Sequence, residues 1–320
     1  MPPAKDLEQR TILYNRLIKR DRHLRKMARR EGHDCYRVYD RDVPEIPLSV
    51  ERYADAAVLY LYERPYQKAA DEEFAWLQVM IAAVSEALGI QAADIHVKTR
   101  KRLGVHEQYQ RAADSSVIRT VHENGLSFSV NLSDYLDTGL FMDHRPLRGM
   151  VRVLAMDKRV LNLFCYTGSF SVYALAGGAL SVGAVDLSAT YLAWAERNLV
   201  LNHLDMARYK AFRMDATQFL TRAAATRERY DIIILDPPTF SNSTAMDGFL
   251  DINRHWPELV KSCLALLDPA GYLLFSTNSR ALRCDPGLVP AAMITDITRA
   301  TLPEDFRHTA HRCWQIRHKA

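Results

Sequence analysis

The chain has 320 residues, 48% of them hydrophobic and 25% charged, the balance of one large or two ordinary folded domains rather than of a disordered chain. No apolar run is long enough to cross a bilayer, and the residues after Met1 lead straight into charge without the apolar core of a secretory leader, so a cytoplasmic protein with no membrane association is expected. The five cysteines (Cys35, Cys165, Cys263, Cys284, Cys313) are scattered and lack CxxC spacing, which argues against a disulfide framework or a zinc site.

The net charge of +4 is unevenly placed. Residues 1–33 hold ten Lys/Arg against four Asp/Glu and carry +6, so the rest of the chain carries −2. This is the pattern of a basic arm that meets a polyanion. From Glu8 to Arg30 there is no proline or glycine, and Gly32 follows as a stop signal, which predicts a helix. Leu13, Leu17, Leu24 and Met27 form one narrow apolar stripe, with Arg16, Lys19, Arg22, Lys26 and Arg29 on the remaining surface. The basic face is either a solvated helix surface or a row of phosphate contacts, which would make binding salt-dependent. Nothing within the helix separates the two.

Residues 34–148 read as a small α+β domain. Strands are predicted at Cys35–Tyr39 and Ala56–Tyr62, a helix over Phe74–Leu88 closed by Gly89, and a strand at Ile95–Thr99 that runs into Arg100, Lys101 and Arg102. Val117–Val121 and Leu126–Val130 flank Glu123-Asn124-Gly125, a strong hairpin cue. The segment Asp137-Thr-Gly-Leu-Phe141-Met-Asp143-His-Arg145 reads by itself as a linker with a turn.

From Val151 onward strand, loop and helix alternate, so residues 149–320 predict a doubly wound, mostly parallel sheet. Strands fall at Val160–Phe164, Ser181–Val185, Arg208–Arg213, Tyr230–Leu235 and Tyr272–Thr277. Helices fall at Phe170–Ala176, from Ser188 as N-cap to about Asn202, and at Thr217–Ala225, Trp256–Leu267 and Val289–Leu302, with a strand pair expected within Phe306–Ile316. The fourth strand ends abruptly in Asp236-Pro237-Pro238-Thr239-Phe240. Proline cannot donate to a ladder, so pairing stops there and Asp236 and Phe240 are delivered to the carboxyl edge of the sheet, where open α/β sheets bind ligands.

Three acids, Asp186, Asp215 and Asp236, follow three successive strands, and Gly168 sits in the first strand-to-helix turn eighteen residues before Asp186. A glycine that admits close backbone approach and an acid that holds ribose hydroxyls are the logic of a nucleotide site. Only one glycine is present where a pyrophosphate cradle needs three, so an adenosyl cofactor without phosphates fits better, and S-adenosyl-L-methionine is the common one. Asp186 is expected on the ribose and Asp215 near the adenine amino group. His255, His308 and His318 have no metal-ligand spacing, and Trp194, Trp256 and Trp314 read as packing residues; no metal is expected.

Several runs resemble the class I methyltransferases, and within them the bacterial 23S rRNA guanine-N7 methyltransferases of the RlmK family, commonly the C-terminal half of the fused RlmKL chain. These are Asn162-Leu-Phe-Cys-Tyr-Thr-Gly-Ser169, Val185-Asp-Leu-Ser188, Thr190-Tyr-Leu-Ala-Trp-Ala-Glu-Arg-Asn198, Asp236-Pro-Pro-Thr-Phe-Ser-Asn-Ser243, Asp137-Thr-Gly-Leu-Phe141 with Asp143-His-Arg145, Asp34-Cys-Tyr-Arg37 and His311-Arg-Cys-Trp314. The resemblance spans nearly the whole chain. It implies a Rossmann-like catalytic domain, S-adenosyl-L-methionine as cofactor, and 23S rRNA or a ribosomal precursor as partner. It turns the 137–145 segment from linker into cofactor lid. The implied cofactor set is Phe141, Asp143, Arg145, Asn162, Phe164, Tyr166, Thr167, Gly168, Ser169, Asp186, Leu187, Asp215, Ala216 and Asp236. The implied catalytic set is Asp236, Pro237, Pro238 and Phe240, with RNA gripped by Arg16, Lys19, Arg22, Lys26, Arg29, Arg100, Lys101 and Arg102.

Chemistry narrows the target atom. Cytosine C5 needs a cysteine to add to the ring, and the stretch after the fifth strand, Phe275-Ser-Thr-Asn278-Ser, has none, although Cys284 follows it. Exocyclic amines are usually served by Asp/Asn-Pro-Pro with an aromatic immediately after, whereas Thr239 intervenes here. Guanine N7 carries a lone pair and no proton, so holding it in line with the methyl suffices. The alternatives are another atom or base (N2-guanine, C5-cytosine) and a non-catalytic RNA-binding assembly factor.

Overall fold

A computed structural model describes residues 2–63, 68–100, 116–241, 249–306 and 310–319. The chain divides into two compact units, Met1–Met142 with Asp305–Arg307, and Asp143–Glu304 with His308–Ala320.

In the smaller unit, α1 (Ala4–Glu31) ends where Gly32 takes the left-handed conformation and returns its N–H to Ala28 O. Strands β1 (Cys35–Asp40), β2 (Leu48–Tyr53) and β3 (Ala56–Tyr62) form an antiparallel meander. The chain then crosses through α2 (Ala70–Leu88), which places β4 (Ile95–Arg100) parallel to β3. A separate hairpin pairs β5 (Ile118–Glu123) with β6 (Leu126–Asn131). Its turn residues Asn124 and Gly125 both have positive φ, 53° and 77°, as a two-residue hairpin matched to strand twist requires. The α1 stripe of Leu13, Leu17, Leu24 and Met27 is sealed against Trp76, Met80 and Val84 of α2 and the inner face of the sheet. The basic helix is therefore part of this unit's core rather than a separate segment 1–33, because so apolar a stripe must be covered. The expected boundary after 148 falls instead at Met142 and Asp143.

The larger unit opens with α3 (Arg145–Leu154), then β7 (Arg159–Leu163), α4 (Ser169–Ala176), β8 (Ser181–Asp186), α5 (Ala189–Leu201), β9 (Tyr209–Arg213), α6 (Ala216–Ala225) and β10 (Tyr230–Leu235). A two-residue ladder pairs β11 (Phe240–Ser241) with β12 (Leu250–Asp251). There follow α7 (Ile252–Leu266), β13 (Leu267–Thr277), β14 (Ala292–Asp296), α8 (Thr298–Thr301) and β15 (Arg312–His318). The seven-stranded sheet has the order β14-β15-β13-β10-β7-β8-β9. Its strands β13, β10, β7, β8 and β9 are parallel neighbours, and β15 runs antiparallel to both β13 and β14. Ile232, Ile233, Ile234 and Leu235 are all fully buried, as a central strand covered on both faces demands.

Two expectations give way here. The helix predicted over Val289–Leu302 is instead β14 followed by the single-turn α8: Met293–Asp296 pairs with Arg317–Trp314 on β15, so tertiary pairing overrides local propensity. Of the strand pair expected within Phe306–Ile316, the described residues form one strand, β15, while Asp305 and Phe306 belong to the smaller unit. There Asp305 Oδ2 accepts from Arg37 N at 3.0 Å and the Arg37 guanidinium lies over the Phe306 ring. Helix α3, to which the sequence reading assigns no element, begins with Pro146 in its first turn, where proline is preorganised for a helix.

Candidate active site at the carboxyl edge of the large sheet

The chain places β8 and β9 on one side of β7, then returns with β10 on the other. The crevice above β7 and β10 is thus a topological switch point, where doubly wound sheets bind ligands. Its floor comes from three turns.

The first turn follows β7. Phe164 and Tyr166 adopt left-handed backbone conformations (φ 56° and 50°), and Gly168 a third (φ 73°). Non-glycine residues rarely go there. The contortion aims Tyr166 N–H at Asp186 Oδ2, 3.0 Å away. Gly168 is required twice over, by its φ and because a Cβ would come within 2.5 Å of Ala195 Cβ. Thr167 is buried, and its carbonyl accepts from Asn198 Nδ2; Ser169 opens α4. Asn162, from inside β7, donates to Ser171 Oγ at 3.0 Å, so its amide ties strand to helix.

The second turn follows β8. Asp186 accepts from Tyr166 N and from Ser188 N at 2.9 Å, leaving lone pairs on both carboxylate oxygens. Burial raises its pKa against the pull of those amides. An acceptor pair beside a strained glycine turn fits the vicinal hydroxyls of an adenosyl ribose, and the carboxylate's chemistry suits that group without a phosphate site. Leu187 next to it is half-exposed, an apolar surface beside the acid. Asp215 and Ala216 stand one strand further out, beyond β9. There the Asp215 carboxylate caps α6, accepting from the backbone N–H groups of Thr217 and Gln218 and from the Thr217 hydroxyl.

The third turn follows β10. Asp236 Oδ1 accepts from Ser276 Oγ on the neighbouring β13 at 2.6 Å and lies 3.5 Å from His144 Nε2. Oδ2 has no partner among the described residues. His144 Nδ1 is 3.5 Å from Asp143 Oδ2, which also accepts from His311 Nδ1 at 3.0 Å. His311 Nε2 is in turn 3.0 Å from Thr301 Oγ1. Burial opposes charge on His144, but the carboxylates of Asp236 and Asp143 outweigh it and push its pKa up to about 10. Burial would likewise raise the two acids; the His144 imidazolium prevails, holding Asp143 well below and Asp236 below the usual carboxylate range. The outcome is an acid–imidazolium–acid row with a buried ring between two half-buried carboxylates. Asp143, His144 and His311 bring candidate metal-ligand atoms within 4.8 Å of one another. The two rings, however, stack at 4.2 Å and 17°, so their in-plane lone pairs run side by side instead of converging on one ion.

Phe240 is 39% exposed and stacks on the exposed Phe249 at 5.6 Å, an aromatic surface one turn from Asp236. Thr239, which separates it from the prolines, donates its hydroxyl to Asn278 Oδ1 beyond β13. Pro237 is buried and Pro238 partly so. Arg145 opens α3 with its side chain buried, while Phe141 belongs to the smaller unit and is 42% exposed. The residues of the basic set differ in availability. Arg16, Lys19, Arg22, Lys26 and Arg29 are all exposed, and none has an ion pair among the described residues. Arg100 is committed internally, to Asp137 at 2.7 Å and over the Tyr60 ring. Lys101 and Arg102 lie outside the described residues.

Sequence reasoning missed His144, Ser276 and His311 as partners of the Asp-Pro-Pro acid. His144 and His311 lie within quoted motifs, but no spacing shows that they meet. The histidines dismissed as ligands are packed as expected where described: His255 Nδ1 accepts from Asp251 N and His318 contacts Leu267 O. Trp256 and Trp314 flank Phe275 in the core.

Residues 78–300 match the family model described as S-adenosylmethionine-dependent methyltransferase. The chain is 43% identical over 311 residues to ribosomal RNA large subunit methyltransferase K of Neisseria meningitidis serogroup B, covering 97% of this chain and 88% of that one. It is 41% identical to ribosomal RNA large subunit methyltransferase K/L of Methylococcus capsulatus, over 97% of this chain but only 42% of the longer one. It therefore spans less than half of such fused relatives. Among solved structures, SMU.776 complexed with SAH superposes with a TM-score of 0.77 at 23% identity, over 96% of this chain and 81% of that one. A SAM-dependent methyltransferase from Agrobacterium tumefaciens gives 0.60 at 22%, over 89% and 90%. At such identities these two likenesses speak to the fold alone. The family match and the full-length relative go further: this chain belongs to the S-adenosylmethionine-dependent methyltransferases, in the ribosomal RNA large subunit methyltransferase K family.

Proposed function

We propose that the chain methylates N7 of a guanine in 23S rRNA. The observation that carries the choice of atom is the setting of Asp236: half-buried, its Oδ1 taken by Ser276 Oγ and 3.5 Å from His144 Nε2, which holds it below the usual carboxylate range. A carboxylate so stabilised is a poor proton acceptor and a good fixed negative charge. Exocyclic amines must shed a proton on methylation; guanine N7 has none to shed.

The bound cofactor would supply an electrophilic methyl on a sulfonium. Asp186 would hold its ribose hydroxyls, and the contorted 164–168 turn would bring backbone close to it. Asp236 Oδ2 would face the base, stabilising the positive charge that moves onto the guanine as N7 is alkylated. Phe240 would stack on the extruded base, a contact worth about 1–3 kcal/mol. The names of the curated relatives supply the substrate class, and the exposed row of cations on α1 suits it.

The C5-cytosine alternative loses its nucleophile. Burial pushes the Cys284 thiol up to about 12, and burial beside Asp236 raises Cys313 well above its ordinary value, so neither supplies the thiolate that attack requires. Incubation with unmodified 23S rRNA and mass spectrometry of nuclease digests tests the reading. The cationic 7-methylguanosine is expected; a neutral methylguanosine or methylcytidine in its place would refute it.

A further inference from the structure

A concavity of about 480 Å³ opens at the carboxyl end of β13, in the larger unit, lined chiefly by Asn278, Ser279, Arg280, Arg283, His311 and Arg312. Among the described residues, three guanidiniums line it and no carboxylate does. Of the acids nearby, Asp143 is paired with His311 Nδ1 at 3.0 Å and Asp296 with Arg312 Nη2 at 3.0 Å, and the Arg312 guanidinium is braced over the Trp314 ring. Arg283 is fixed on its own loop, its Nη1 donating to the carbonyls of Arg280 and Leu282 at 2.8 and 3.0 Å. Arg280 is exposed and has no ion pair among the described residues. The loop itself is anchored. Leu282 is buried, Ser279 Oγ donates to Asn253 Oδ1 at 2.6 Å, and Ser279 N donates to Thr277 Oγ1 at 3.1 Å.

This wall is joined to the Asp-Pro-Pro turn at two points. Asn278 Oδ1 accepts from Thr239 Oγ1, and His311, on the same wall, pairs with Asp143 and stacks on His144, the partner of Asp236. Clustered planar guanidiniums on a pre-ordered loop recognise phosphate oxygens by paired hydrogen bonds. We propose that this concavity holds a backbone phosphodiester of the RNA, one flanking the nucleotide presented to Asp236. The site thereby reads the backbone next to the target, while the α1 cations grip at a distance along the chain. The inference rests on the RNA-methyltransferase reading.

The test replaces Arg280 and Arg283 together by Gln in the full chain, leaving Arg312 with its structural partner. Binding of a labelled single-stranded RNA is followed by fluorescence anisotropy across a salt series. Loss of the one phosphate contact should weaken RNA binding about fivefold near 0.1 M salt and reduce the log–log salt slope by roughly 0.7. Affinity for S-adenosylhomocysteine should not change, and Arg→Lys at both positions should restore part of the RNA affinity. Unchanged RNA affinity and slope would overturn the proposal. So would calorimetric binding of inorganic phosphate that the double substitution abolishes while RNA binding is untouched, since the pocket would then serve free anions. A wild-type chain that methylates rRNA while the variant binds RNA equally well sinks this inference alone; a wild-type chain that neither binds nor methylates RNA sinks the parent reading with it.

Discussion

At the scale of single residues, the acid of the Asp-Pro-Pro motif and the aromatic beside it differ in the size of effect they can have. Asp236→Asn removes a fixed negative charge from a desolvated site and should lower kcat about 10²–10³-fold, with S-adenosylhomocysteine affinity retained. Phe240→Ala removes a stacking surface worth at most about 3 kcal/mol, so turnover should fall by no more than roughly two decades. Single-turnover methyl transfer measures both, and the reverse order of severity would contradict the roles assigned. His144 makes a separate prediction about stability. Its pKa is raised, so the stability it contributes is full below its ordinary value near 6.5 and is lost as pH rises through about 10. Asp143 and Asp236 are lowered, so theirs is present above the ordinary carboxylate value and fades as pH falls through the depressed one. His144→Gln should therefore cost most between the ordinary carboxylate range and about pH 6.5, with the difference in Tm from wild type shrinking toward pH 10. A difference that stays constant from pH 7 to 10 would mean that the ring is neutral. Asp236's place at the carboxyl edge was legible because two prolines end its strand; its neighbour His144 was not, because the two meet only once the start of α3 is brought against β10.

Among elements, the 164–168 turn and α1 illustrate two ways in which sequence serves a site. Gly168→Ala would force a Cβ to within 2.5 Å of Ala195 at a φ of +73°, so α4 and α5 must part or the turn must relax. Both distort the turn that aims Tyr166 N–H at Asp186. Loss of about 1–3 kcal/mol of stability, read by denaturant titration, and weakened S-adenosylhomocysteine binding are expected. The stripe on α1 was readable in full: Leu13, Leu17 and Leu24 are completely buried and the five cations opposite are exposed. From Arg16 to Arg29 these cations extend about 20 Å along the helix axis. Reversing Arg22, Lys26 and Arg29 to Glu should lower RNA affinity and flatten its salt slope without changing S-adenosylhomocysteine binding. Unchanged RNA binding would make the row a solvated surface. Arg100, by contrast, looked the same in the sequence as its basic neighbours, and only the fold shows its charge spent on Asp137.

For the molecule as a whole, the alternation of strand and helix after Val151 determined the doubly wound class, and the residues that close each strand marked its carboxyl edge. Those readings survive because they rest on local physics: β-branched runs buried on both faces, prolines that end a ladder, glycines at left-handed helix ends. Where Val289–Leu302 was read as a helix, the register with β15 decided otherwise, since an edge strand answers to its neighbour more than to its own propensities. Tertiary structure alone determined that β7 and β10 lie side by side at the switch point. It alone brought Asp143, His144, Ser276 and His311 around Asp236, and it alone gathered Arg280, Arg283 and Arg312 into one basic wall. The division has a physical cause. Backbone preference and burial period act between near neighbours in the chain, whereas the ionisation of a carboxylate and the convergence of guanidiniums depend on distances that no spacing in the sequence encodes.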